Sequence, residues 1–106
     1  MAKMLITGTY TADGAKGLIK EGGTARKAAV EKAVRGLGGK LESIYYAYGD
    51  ADVYVVVDMP DTTSAIALSL VVNASGAVHV KTIPLITVEE VDAACKKSVD
   101  YRPAGR

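Results

Sequence analysis

Apolar positions along this chain recur with two spacings, alternate residues in some stretches and every third or fourth in others, and the switches between them mark out the elements. Lys3 to Tyr10, a run rich in aliphatic residues and Thr, predicts a first strand that ends in a turn at Asp13-Gly14. Gly17, Gly22 and Gly23 then predict a loop. Thr24 opens a helix in which Val30, Ala33, Val34 and Leu37 form an apolar stripe opposite Lys27, Glu31 and Arg35, and Gly36, Gly38 and Gly39 close it. Lys40 to Tyr48 and Ala51 to Asp58 read as two strands, and the short Gly49-Asp50 link makes them an antiparallel hairpin. Asp61 is placed to cap a helix from Thr62 to Asn73. Its apolar residues run nearly all the way round, which predicts cover on most sides. Ala77 to Ile86 reads as a fourth strand, with Pro84 marking an edge or a bulge. Thr87-Val-Glu-Glu90 has capping-box spacing and starts a helix running to about Lys97. The stretch from Val99 to Arg106 has no period and is either frayed or docked elsewhere.

The order β-α-β-β-α-β with a trailing helix predicts a ferredoxin-like α+β sandwich over residues 1–98, followed by a tail at 99–106. Both parities of Val53 to Val57 are apolar, and an antiparallel sheet with one wet face would alternate. A second surface is therefore expected over the face away from the helices, most economically the same sheet of another copy. That gives a homodimer or a multiple of dimers with a pocket between two sheets, forming a dimeric α/β barrel. The 106 residues suffice for one core, and 13 basic against 12 acidic residues leave +1, too balanced for a nucleic-acid partner. No apolar run reaches the ~20 residues of a membrane span, so no membrane partner is expected. Met1 to Thr7 lacks a secretory apolar segment, and the one Cys forms no internal disulfide, so a cytoplasmic protein is expected.

Several runs together resemble the GYD-domain family: Tyr10 to Leu18, Gly22-Gly23-Thr24-Ala25-Arg26, Gly38-Gly39-Lys40-Leu41, Tyr45-Tyr46 to Gly49 with Asp52, Pro60-Asp61, Ser75-Gly76, Glu89 to Asp92 and Val99 to Pro103. The resemblance implies kinship with dimeric α/β-barrel proteins, among them cofactor-free monooxygenases, muconolactone isomerases and haem-handling enzymes. Ala51 stands where the name-giving Tyr of that family is expected. The family implies a small-molecule pocket but no particular reaction.

All six aromatic residues are Tyr, so each buried ring brings a hydroxyl that needs a partner. Tyr10, Tyr46 and Tyr54, with Lys16, Arg26 and His79, are the candidate ligand-binding set; the bland reading of the tyrosines is packing and interface hydrogen bonding. His79 and Asp52 are the candidates for proton transfer, though His79 reads equally as a surface or interface histidine and Asp52 as a turn-stabilising carboxylate. One His without neighbouring ligands makes a poor metal site, and no cofactor is called for. Gly17 to Thr24 lacks the Lys of a phosphate loop, but the Gly22, Gly23 and Thr24 amides would favour an anion beside Lys16 and Arg26. Arg26 lies on the side of Val30 and Ala33, where a structural ion pair is the plainer role. Cys95 keeps step with Val88 and Val91, the spacing of a buried face. The expectation is a homo-oligomer binding a small organic molecule. The alternatives are a cofactor-free monooxygenase or isomerase-like enzyme, and a purely structural assembly protein.

Overall fold

The computed structural model of the chain describes residues 2–106. Its elements are β1 (Ala2–Tyr10), α1 (Ala12–Glu21), α2 (Gly23–Gly36), β2 (Lys40–Tyr46), β3 (Val53–Met59), α3 (Thr62–Ala74), β4 (Val78–Pro84) and α4 (Val88–Cys95). The strands form one antiparallel sheet in the order β2-β3-β1-β4, the ferredoxin-like arrangement. Pro84, which has no amide to donate, ends the edge strand β4.

The sheet's helix-facing side is the core. Met4 and Ile6 of β1 and Val53, Val55, Val57 and Met59 of β3 are buried against Val34 of α2 and Ala65 and Leu68 of α3. Val34 and Val57 retain 0% exposure, and Val34 belongs to the stripe expected of α2. Directly opposed residues share a face, so the register gives the rows. Leu41, Val57, Met4 and Pro84 form one row towards the helices; Ile44, Val55, Ile6 and Thr82 form the next; Tyr46, Val53, Gly8 and Val80 form the third. A β-bulge between Leu41 and Ser43 leaves Glu42 as the extra residue, and Lys3 Nζ holds its carboxylate at 2.8 and 2.9 Å.

Four expectations about individual elements need correction. The loop expected from Asp13 to Gly23 is instead the helix α1, capped by the Thr11 hydroxyl accepting from the Gly14 amide at 3.2 Å. Its glycines depress helix propensity, but Gly14 earns its place through packing. A Cβ there would lie 1.8 Å from the Ala77 carbonyl oxygen, so only Gly lets α1 seat on that strand end. Gly22, at φ 86, separates α1 from α2. The hairpin strands are also shorter than expected, stopping at Tyr46 and resuming at Val53, so Tyr48 lies in the link and is fully exposed. That link is pinned by Ala47 N donating to Asp52 O and by Asp52 N donating to Gly8 O, both at 2.8 Å.

The third correction concerns α3. It buries Ala65 and Leu68 but leaves Ile66, Leu70 and Val71 exposed, so within one protomer it is covered on one side only. The fourth is α4. Its capping box is present as the spacing predicts, with Glu90 N donating to Thr87 Oγ1 at 3.0 Å, but Val88, Val91 and Cys95 face solvent rather than a core.

The sheet face away from the helices is mixed. Ser43, Val56, Leu5 and Ile83 form one row and Tyr45, Tyr54, Thr7 and Lys81 another, with Lys3 and Asp58 beyond the first and Thr9 and His79 beyond the second. The face expected to be covered because both parities of β3 are apolar is itself apolar only across its middle.

Candidate functional site

An apolar cavity of this protomer, partly open to solvent, lies under the helices. It measures about 140 Å³ and separates the sheet from α2 and α3, walled by Ile6, Val30, Ile44, Val55, Leu68 and Val80 among others. Its size is close to the ~150 Å³ of apolar cavities that stay dry and accept a benzene ring. Tyr10 and Arg26 are the conspicuous polar residues on its wall. Arg26 reaches it because it sits one and two turns before Val30 and Ala33 on the inward side of α2.

Tyr10, the last residue of β1, is fixed twice. Its amide donates to Asp52 Oδ2 at 2.9 Å, and its ring packs towards Gly14 of α1. Burial, then the neighbouring Tyr46 hydroxyl, push the Tyr10 phenol up to about 12 against the opposing pull of the Arg26 guanidinium. Tyr10 therefore stays protonated at neutral pH and remains a donor. Tyr46 closes the other side: it is in the third core row, and a Cβ on Gly23 would meet its Cε2 at 3.6 Å. The start of α2 is thus beside the Tyr46 ring. Gly22 gives that helix no side-chain cap, which leaves its first amides and the positive end of its dipole free of a capping side chain. Glu21 Oε2 approaches Arg26 Nη1 at 3.5 Å, a partly exposed pair of modest strength.

The sequence-derived candidates fall into three places. Tyr10 and Arg26 line the cavity, and Tyr46 stands beside the Tyr10 hydroxyl. Tyr54 and His79 lie on the opposite face of the sheet, in an open recess with Thr7, Thr9 and Lys81. Lys16 is exposed on α1 and lines neither space. Asp52 uses its carboxylate to hold Tyr10 rather than to face the cavity. The aliphatic walls, Ile44 and Val30 above all, were legible as core positions but not as a cavity lining. Their signal was parity, since Ile44 and Tyr46 share a face and Arg26 shares the Val30 stripe. Among the described residues no group of three or more His, Cys, Asp or Glu side chains is placed to hold a metal ion.

A ferredoxin-like α+β sandwich with an apolar cavity beneath its helices is the class that this fold and this site define. The family model for the GYD domain matches residues 4–95, and the chain belongs to the GYD-domain family. No curated protein and no solved structure matches the chain.

Proposed function

We propose that the chain is a homo-oligomeric binding protein for a small organic acid, held between the sheet and helices α2 and α3 rather than between two sheets. One observation carries the reading: Arg26 and the protonated Tyr10, with Tyr46 beside it, stand on the wall of a largely apolar cavity the size of a single ring. An anionic head suits the Arg26 and Tyr10 donors, and an aromatic or branched aliphatic body suits the walls. Neither His79 nor Asp52 lines the cavity, so no assigned base faces a ligand there; binding is favoured over turnover. Support for more than one copy comes from the apolar middle rows of the open sheet face and from the bare side of α3.

The test is a panel of small aromatic and branched carboxylates, each beside its neutral amide, titrated calorimetrically, with native mass spectrometry of material purified from cells. Acids should outbind their amides, and Arg26→Gln should remove the preference, a loss of about 1.5–3 kcal/mol, or roughly 10–150-fold. Equal binding of acid and amide, or an unchanged preference in Arg26→Gln, refutes the proposal.

A further inference from the structure

The protomer is too large for its mass. It exposes 7630 Å², where a compact chain of 11.0 kDa exposes roughly 5,600 Å², an excess of about 2,000 Å². Its radius of gyration is 17.0 Å against about 13 Å for a compact domain of this length. The excess lies at the C-terminal end, where every residue from Ile83 to Arg106 is exposed, including Leu85, Ile86, Val88, Val91, Val99 and Tyr101.

A matching vacancy exists on the same chain. Between the bare side of α3 and the edge strand runs a groove lined by Ala65, Ile66, Ser69, Leu70, Thr82 and Pro84. Helix α3 carries no charged residue, whereas a helix that faces water permanently normally has a charged side. Helix α4 is amphipathic in the complementary sense, with Val88, Val91 and Cys95 on one face and Glu89, Glu90 and Asp92 elsewhere. The arm does not reach its own groove. Leu85 N donates to Lys3 O at 2.8 Å, which prolongs the sheet direction, and only Ile86 separates Leu85 from the helix cap Thr87. The three residues Leu85 to Thr87 thus carry the chain away from α3, and α4 stands in solvent with every residue exposed.

We infer that the arm from Leu85 to Arg106 is exchanged between two copies, each α4 lying in the other copy's groove between α3 and β4. This rests on the homo-oligomer half of the proposed function and names the contact that makes the oligomer. The surplus surface exceeds the ~800 Å² per partner of a stable interface, and reciprocal exchange closes on itself as a two-fold pair.

Three full-length proteins test it: the wild type, Val91→Asp in the arm and Leu70→Asp in the groove. Val91 is 49% and Leu70 65% exposed in the protomer, so each copy should still fold, with circular dichroism as the check. Sedimentation should show a wild-type dimer, and each substitution should weaken it roughly tenfold or more by placing a charge in the contact. An equimolar mixture of the two variants should recover dimer, because one arm and one groove in the mixed pair are intact. Labelling of Cys95 by a maleimide, read on the wild type alone, should be slow in the dimer and speed up on dilution. A monomeric wild type overturns both the exchange and the oligomer. A dimer that both substitutions leave intact, or one whose Cys95 labels at the same rate at every concentration, overturns the exchange alone and leaves the oligomer and the cavity standing.

Discussion

Replacing Gly14 by Ala tests whether α1 is seated as described. Its Cβ would stand 1.8 Å from the Ala77 carbonyl oxygen, 2.8 Å from the Ala77 carbonyl carbon and 3.0 Å from Tyr10 Cδ1. The first two are backbone atoms and cannot turn aside as a side-chain tip would. Relief requires the start of α1 to lift, which strains the bond from Thr11 N to Ala77 O at 3.0 Å and the longer one from Thr11 Oγ1 to the same oxygen at 3.2 Å. Overpacking costs about 1–3 kcal/mol and two weakened hydrogen bonds about 1 kcal/mol each, while the gain in helix propensity returns about 1 kcal/mol. The net expectation is roughly 2–4 kcal/mol of destabilisation. Gly17 is the internal control. It lies in the same helix, a Cβ there meets nothing within 4 Å, and Gly17→Ala should stabilise by up to about 1 kcal/mol. Urea unfolding of the three proteins at one fixed concentration reads both signs. Two substitutions shifting stability in the same direction by similar amounts would refute the seating of α1.

Three further outcomes are expected. The raised Tyr10 value means that the fold favours the neutral phenol, so the stability it contributes is present below the unfolded value of about 10 and is lost as pH rises towards about 12. Tyr10→Phe should flatten that alkaline decline, and a tyrosinate absorbance titration should lose the group that ionises near 12. Ser64 N donates to Asp61 Oδ1 at 2.7 Å and holds the Asp61 carboxyl below its usual range, so its contribution is present above about pH 4 and is lost as pH falls through the lowered value. Asp61→Ala should therefore be less stable than wild type at neutral pH and converge with it in acid, where a constant gap across pH would contradict the cap. Val57→Ala, at a site with 0% exposure, should cost about 2–3 kcal/mol in chemical unfolding, the loss of two buried methyl equivalents plus the space they leave; a cost near zero would contradict the core described here.

The strands, α2, α3 and the Asp61 and Thr87 caps were legible because each depends on residues close in sequence. Val34 and Leu37 fall in the stripe period, Asp61 and Thr87 stand at cap spacing, and Pro84 marks the edge. Helix α1 was not legible, because the reason it tolerates Gly14 is a carbonyl oxygen 63 residues further along the chain. The burial expected of Cys95 failed for a related reason: period reveals that one side of a helix is apolar, not which body that side meets. The site divided in the same way. Arg26, Tyr10 and Tyr46 were identifiable by parity, but the Asp52 carboxylate that holds the Tyr10 amide from the hairpin link is a long-range bond that spacing does not encode.

The Glu42 bulge determines which tyrosine guards the cavity. Leu41, before it, points at the helices with odd parity, whereas Ile44 and Tyr46, after it, do so with even parity. Were the extra residue ironed into a regular ladder, Ser43 and Tyr45 would turn inward, a serine would replace isoleucine in the wall, and Tyr46 would swing to the far side of the sheet. The ammonium of Lys3, gripping the carboxylate of the odd residue out, thus acts as a phase marker for the whole of β2.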